Sequence, residues 1–211
     1  MSNCITFNSP GVLLTKLSDA QLKPIWDEVR AIQADYSKGV IMENYLAGNI
    51  RKEFQLFASK QHCQDMLQPY INEYIHTFNY AGRLQQLTKP VPLVLGDRDY
   101  WVNFMERGEF NPPHDHSGVF SFVIWLQIPY TLEEERRFGP GAKSNDPLAG
   151  EFSFAYPDIT GRTQIARMQA DRSKEGYLCL FPHMLYHSVA PFYTTDELRI
   201  SISGNLKLKA D

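Results

Sequence analysis

The chain has 211 residues, 21 basic and 24 acidic, for a formal charge of −3 with neutral histidines, and 43% of it is apolar. That is enough apolar material for one packed domain, or one domain with an appended lobe, and it lacks the basic excess of a nucleic-acid binder. No apolar run approaches the roughly 18 residues that cross a bilayer, since the longest, Val119 to Pro129, is strand-length and carries Ser121 and Gln127. The opening MSNCITFNSP lacks the basic and apolar blocks of a signal peptide. Three widely spaced cysteines (Cys4, Cys63, Cys179) make neither a disulfide framework nor a CxxC knuckle. A reducing, cytoplasmic compartment is therefore expected, with no membrane and no nucleic acid among the partners.

Helical signals dominate the first part of the chain. Ser18 is placed to N-cap a helix, with Gln21 in the capping-box position. Leu22, Ile25, Trp26, Val29 and Ile32 then recur at the spacing of one helical face. Further helices are predicted over Leu46 to Phe57 and Cys63 to Thr77, where Met66, Tyr70 and Tyr74 share a face. These Met and aromatic stripes read as core packing.

The pattern changes near Pro90–Pro92 to short strands punctuated by Gly, Pro, Asn and Asp. Strands are predicted over Tyr100 to Met105, Phe120 to Ile128, Glu151 to Tyr156, Thr163 to Met168, Tyr177 to Phe181, Tyr186 to Ala190 and Leu198 to Ser203. Tyr130 to Leu148, with Gly139, Pro140, Gly141 and Pro147, reads as a polar, mobile connection. Strands at this spacing predict an antiparallel sandwich or barrel, with the helices covering one face. The expected organisation is a helical support region over residues 1–92 and a β-rich core over residues 93–211, in one compact α+β unit.

Four of the six histidines fall in two short segments. The first is Gly108-Glu-Phe-Asn-Pro-Pro-His114-Asp115-His116-Ser-Gly118. Residues two apart in an extended chain project to the same side, so His114 and His116 can converge while Asp115 points away. In the second segment His187 follows a tight-turn signal and enters a strand, with His183 in the turn. Arg199 lies twelve residues after His187, in Arg199-Ile-Ser201-Ile-Ser203-Gly-Asn205. Two imidazoles from a His-x-His step and one from a distant strand suit a divalent metal such as Fe²⁺ or Zn²⁺, and three protein ligands leave positions for substrate.

The second segment resembles the C-terminal half of the 2-oxoglutarate/Fe(II)-dependent dioxygenases, in the prolyl-hydroxylase-like branch found in bacteria and marine phages. There an iron-binding histidine is followed one strand later by an arginine that pairs with the distal carboxylate of 2-oxoglutarate, and His187 and Arg199 match that relation. Arg199-Ile-Ser201 is similar to the family's Arg-x-Ser signature. An arginine fork suits a carboxylate, and alternate residues of one strand reach the same ligand. The first segment resembles the His-x-Asp motif, with Trp101-Val-Asn103 and Phe110-Asn-Pro-Pro just upstream. The resemblance covers about residues 98–206. It implies a double-stranded β-helix (jelly roll), Fe²⁺ held by His114, His116 and His187, and 2-oxoglutarate held by Arg199 and Ser201; Asn103 reads either as a further hydrogen-bond partner of the co-substrate or as the cap of a strand turn. It also implies O₂ as oxidant, hydroxylation of a substrate C–H with release of succinate and CO₂, and a small-molecule, peptide or protein substrate, a prolyl or other amino-acid side chain among the options. No catalytic group beyond the metal centre is implied.

One position departs from the family. The carboxylate of His-x-Asp, counted from His114, is His116, and a motif ending at Asp115 would need histidine where Pro113 stands. Three arrangements follow: a three-histidine centre, a centre in which His116 stands behind the ligands, or one in which the loop turns Asp115 inward. A rival reading shares the fold. Gly108 with His114-x-His116, and Gly176 with Pro182 and His187, resemble the turns of a cupin, but Ser117 to Phe122 lacks the cupin glutamate and Met184 stands where its glycine belongs. Arg199 and Ser201, which a cupin does not need, favour the oxygenase. A jelly roll that binds metal or ligand without turnover is the remaining alternative.

Overall fold

The computed structural model describes residues 11–42, 45–80 and 92–209, so Cys4 and the Pro90 end of the sequence boundary lie outside the described residues. Helix α1, Asp19–Ala34, starts as its sequence dictates. Ser18 Oγ accepts from the Gln21 backbone N–H, and Gln21 Oε1 accepts from the Ser18 N–H at 2.9 Å. Leu22, Ile25, Val29 and Ile32 are its buried stripe. Helix α2, Lys60–Thr77, begins three residues before the Cys63 start predicted for it. Its N-terminal end is joined to α1 by the Glu28 carboxylate, which accepts from the N–H groups of Phe57, Ala58 and Ser59 at 2.7–2.9 Å and from Ser59 Oγ.

The described residues form eleven strands, in chain order: β1 Leu13–Lys16, β2 Val40–Ile41, β3 Glu53–Gln55, β4 Leu93–Met105, β5 Asn111–His114, β6 Phe120–Gln127, β7 Phe152–Pro157, β8 Thr163–Met168, β9 Tyr177–Pro182, β10 Tyr186–Val189 and β11 Arg199–Leu208. They form two antiparallel sheets. The larger has the order β1-β9-β6-β11-β4-β3-β2 and the smaller β5-β10-β7-β8. This is the jelly-roll architecture implied by the sequence, carried by an α+β chain with three α-helices among the described residues.

Two predicted elements are corrected. Leu46 to Phe57 is not a helix: Glu53–Gln55 is β3, paired with β2 and β4. The apolar spacing there mimics a helical face. However, Gly48 sits at φ +148°, a conformation no helix contains, and Phe54 is drawn into a cluster with Tyr36 and Phe104. Tertiary pairing overrides the local period. The predicted connection Tyr130 to Leu148 contains helix α3, Leu132–Phe138, started by a Thr131/Glu134 capping box. The signal was present in Thr131-Leu-Glu-Glu134.

The central strands are buried on both faces, because the large sheet lies between the helices and the small sheet. Phe122, Ile124, Ile200 and Ile202 pack with Ile25, Val29, Leu67 and Ile71 in one core. Val123, Trp125 and Met105 pack with Phe152, Phe154 and Phe181 in the other. Strand parity then assigns the functional face. With Ile200 and Ile202 toward the helices, Arg199, Ser201 and Ser203 point between the sheets. No helix among the described residues is long and apolar enough to cross a membrane.

Candidate metal centre and co-substrate cavity

The two histidine segments meet across one strand pair. β5 and β10 run antiparallel with His187 directly opposite His114. The chain then leaves β5, and the His116 N–H bonds to the carbonyl of His183 in the β9–β10 turn at 3.0 Å. The ring centroids are 4.3 Å apart for His114 and His187, 4.9 Å for His114 and His116, and 5.0 Å for His116 and His187. One ligand nitrogen from each lies within 4.8 Å of the others. An ion with imidazole bonds of about 2.1 Å is within reach of all three after small ring rotations. Asp115 is exposed, and His183 stays in the turn with its ring against the Val119 carbonyl at 3.2 Å.

The tautomers are set by backbone carbonyls. His114 Nδ1 lies 2.7 Å from Pro112 O and His187 Nδ1 lies 3.0 Å from Leu185 O. A carbonyl only accepts, so each Nδ1 carries the proton and each Nε2 keeps its lone pair for a metal. His187 is boxed by aromatic rings, stacked on Phe152 at 5.7 Å and edge-on to Phe181 at 4.9 Å. Burial, reinforced by the neighbouring His114, pushes the His187 pKa down to about 3. Burial, with His114 and His183, pushes that of His116 down to about 4. Both rings are therefore neutral at physiological pH, the form in which an imidazole can bind a metal.

On the facing sheet, Arg199 is 2% exposed, and its Nε and Nη1 have no hydrogen-bond partner. A buried guanidinium with idle donors calls for an acceptor from outside the chain. Asn103 lies opposite Ser201 across the β4–β11 pair. Its amide nitrogen donates to Ser201 Oγ at 3.3 Å and Ser203 Oγ at 3.1 Å, and its oxygen accepts from Trp101 Nε1 at 3.0 Å. All six predicted site residues line one cavity together with Glu53, Asn111 and Phe152.

Sequence reasoning missed Glu53, because the segment was read as helical. It also missed Glu135, which is fully buried in the middle of α3 and accepts from the N–H groups of Tyr193 and Thr194 at 2.9 and 2.8 Å and from Thr194 Oγ1. Glu135 pins the segment between His187 and Arg199. The Thr131 capping box was the one signal that this stretch is ordered.

Residues 99–205 match the 2OG-Fe(II) oxygenase family model. No curated protein matches the chain. Among solved structures, a prolyl-4-hydroxylase of Pseudomonas putida is similar in fold, with a TM-score of 0.55 at 14% identity over 95% of this chain and 94% of that one. OsALKBH1 is similar with a TM-score of 0.50 at 12% identity, over 95% of this chain and 100% of that one. The family match spans half of the chain and contains every residue of the cavity's histidine and arginine walls, so the chain belongs to the 2OG-Fe(II) oxygenases, enzymes that use Fe²⁺, 2-oxoglutarate and O₂.

Proposed function

We propose that this oxygenase hydroxylates a C–H bond of a small molecule or of a peptide side chain, a prolyl or other amino-acid side chain being the leading class. The observation that carries the reading is the buried Arg199, whose idle Nε and Nη1 share a cavity with three converging imidazoles. The donor sets fit both groups the family uses. Three neutral nitrogens suit Fe²⁺, and a planar fork with idle donors suits the far carboxylate of a dicarboxylic acid.

His114, His116 and His187 would hold the ion. With 2-oxoglutarate and O₂, bound iron supplies the oxidising power that converts C–H to C–OH as the co-substrate becomes succinate and CO₂. The chain's own work is positioning and exclusion of water. Arg199 pairs with the distal carboxylate, and Ser201 adds a hydroxyl to the same oxygen set. Asn103 acts on that carboxylate through Ser201 and Ser203, which it holds in place. Carbonyl bonds to the two Nδ1 atoms keep the Nε2 lone pairs aimed at the ion, and the rings of Phe152 and Phe181 wall His187 from water.

Arg199→Ala tests the reading. Affinity for 2-oxoglutarate, measured calorimetrically on anaerobic metal-loaded protein, should fall at least about tenfold, the effect of losing a charged hydrogen-bonded pair. Metal affinity should stay within about twofold. Equal loss of both would refute the assignment.

A further inference from the structure

The cavity opens to solvent at one end. Ala47 is the only exposed residue among the described residues that line it, and Arg199, 2% exposed, marks its closed end. Ala47 belongs to a strap, residues 45–50, that leads from β2 toward β3 and reaches the small sheet on the way. There the Asn49 N–H bonds to the carbonyl of Phe110, the residue before β5, at 2.9 Å. Three residues of the strap, Leu46, Ala47 and Ile50, line the cavity. Across β5 from the strap stands Val189, two residues beyond His187 on β10 and therefore on the same inner face.

These four side chains form a collar of hydrocarbon around the mouth and offer neither donor nor acceptor. Asn111 stands opposite Val189, but its Oδ1 is covered by Gly48, where even a Cβ would overlap it. Glu53 already has a partner within the protein. Asn103 is held by Trp101, Ser201 and Ser203. The three histidines serve the ion, and Arg199 with Ser201 serves the co-substrate. A polar side chain pushed through the collar would lose its water with no replacement bond on the wall. An aliphatic one gains by leaving water.

We propose that Leu46, Ala47, Ile50 and Val189 are specificity-determining residues that admit an uncharged aliphatic side chain as the group to be hydroxylated and turn away polar ones of the same shape. The inference rests on the oxygenase reading above, in which the histidines hold the ion and Arg199 is occupied by 2-oxoglutarate.

The test uses aliphatic and polar twins of matched shape: N-acetyl-L-leucine amide against N-acetyl-L-asparagine amide, and N-acetyl-L-valine amide against N-acetyl-L-threonine amide. Binding is measured calorimetrically on anaerobic protein loaded with Fe²⁺ and 2-oxoglutarate, and stimulated succinate release is measured in air. At least one aliphatic twin should bind and stimulate about tenfold better than its polar partner, as expected where a polar group is stripped of water without a new bond. Leu46→Asn, which sets an amide into the collar at nearly unchanged volume, should cut that preference at least about threefold while 2-oxoglutarate and metal affinities hold. Val189→Thr repeats the test from across β5. No preference in either pair of the wild-type protein, or no binding by any of the four, overturns the inference whether or not the variants fold. So does a preference that both substitutions leave unchanged. Failure of the wild-type protein to bind 2-oxoglutarate is read separately, in the titration without amino-acid amide, and would remove the oxygenase reading and this inference together.

Discussion

The neutral histidine pair makes the metal-free protein sensitive to mild acid. His187 and His116 are held down to about 3 and about 4, in both cases first by burial and then by the neighbouring His114. In the unfolded chain each ring returns to its ordinary value of about 6.5. Above pH 6.5 both states hold the rings neutral and the pair contributes nothing to the pH dependence. Between pH 6.5 and about 4 the unfolded chain takes up protons that the folded protein refuses, so stability falls as pH falls. At pH 5, about 1.5 pH units below the unfolded value, each ring costs about 2 kcal/mol and the pair about 4 kcal/mol. The lowered carboxylates do not confuse this window. Asp158, held down to about 2 by Thr160 and Gln164, gives stability that is lost only as pH falls below the ordinary aspartate range. Urea unfolding of chelator-treated protein at pH 7.5, 6.5, 5.5 and 5.0 measures the slope, and His187→Gln should remove about half of it. Equal stability at pH 7.5 and 5.0, or an undiminished slope in the variant, would refute the buried-neutral description of the site.

Two substitutions test the supporting framework. His187→Ala should lower metal affinity at least about tenfold, no less than loss of a group that merely orients a ligand, and should abolish metal-dependent succinate formation. Retained turnover would remove His187 from the ligand set. Glu135→Ala strips the shared acceptor from the Tyr193 and Thr194 N–H groups and the Thr194 hydroxyl, leaving buried donors worth about 1–3 kcal/mol each. A loss near 3 kcal/mol should lower Tm by about 6–12 °C, with weaker 2-oxoglutarate binding because the segment leads into Arg199. An unchanged melting curve would contradict the clamp.

Much of this organisation was legible because it is local. The Ser18/Gln21 box, the His-x-His step and the alternation Arg199-Ile-Ser201-Ile-Ser203 each state their geometry within a few residues, and the structure places each where that geometry requires. What was illegible depends on partners distant in sequence. Glu53–Gln55 becomes a strand only because β4 lies beside it. The apolar period from Leu46 to Phe57 gives no hint of that neighbour, and the carboxylate at 53 was hidden with it. Asn111–His114 escaped notice because Pro112 and Pro113 suppress a strand reading. As a short edge strand paired only with β10, it tolerates prolines that a central strand would not.

The position that departs from the family pattern fits its surroundings. His116 lies among two other imidazoles and near Trp101, at 6.2 Å, in a pocket that holds its ring neutral. A carboxylate there would bring a negative charge into the aromatic setting that strips the proton from His187. With imidazole instead, a bound divalent ion would keep its full charge, and under the proposed assignment a dicarboxylic co-substrate would meet the ion at one end and Arg199 at the other. Cations would then stand at both ends of one dianion, and by linkage the affinity of each for it would be raised by the other. A three-nitrogen centre that holds iron weakly alone should therefore hold it well when 2-oxoglutarate is present, so neutral ligands tie metal retention to co-substrate supply.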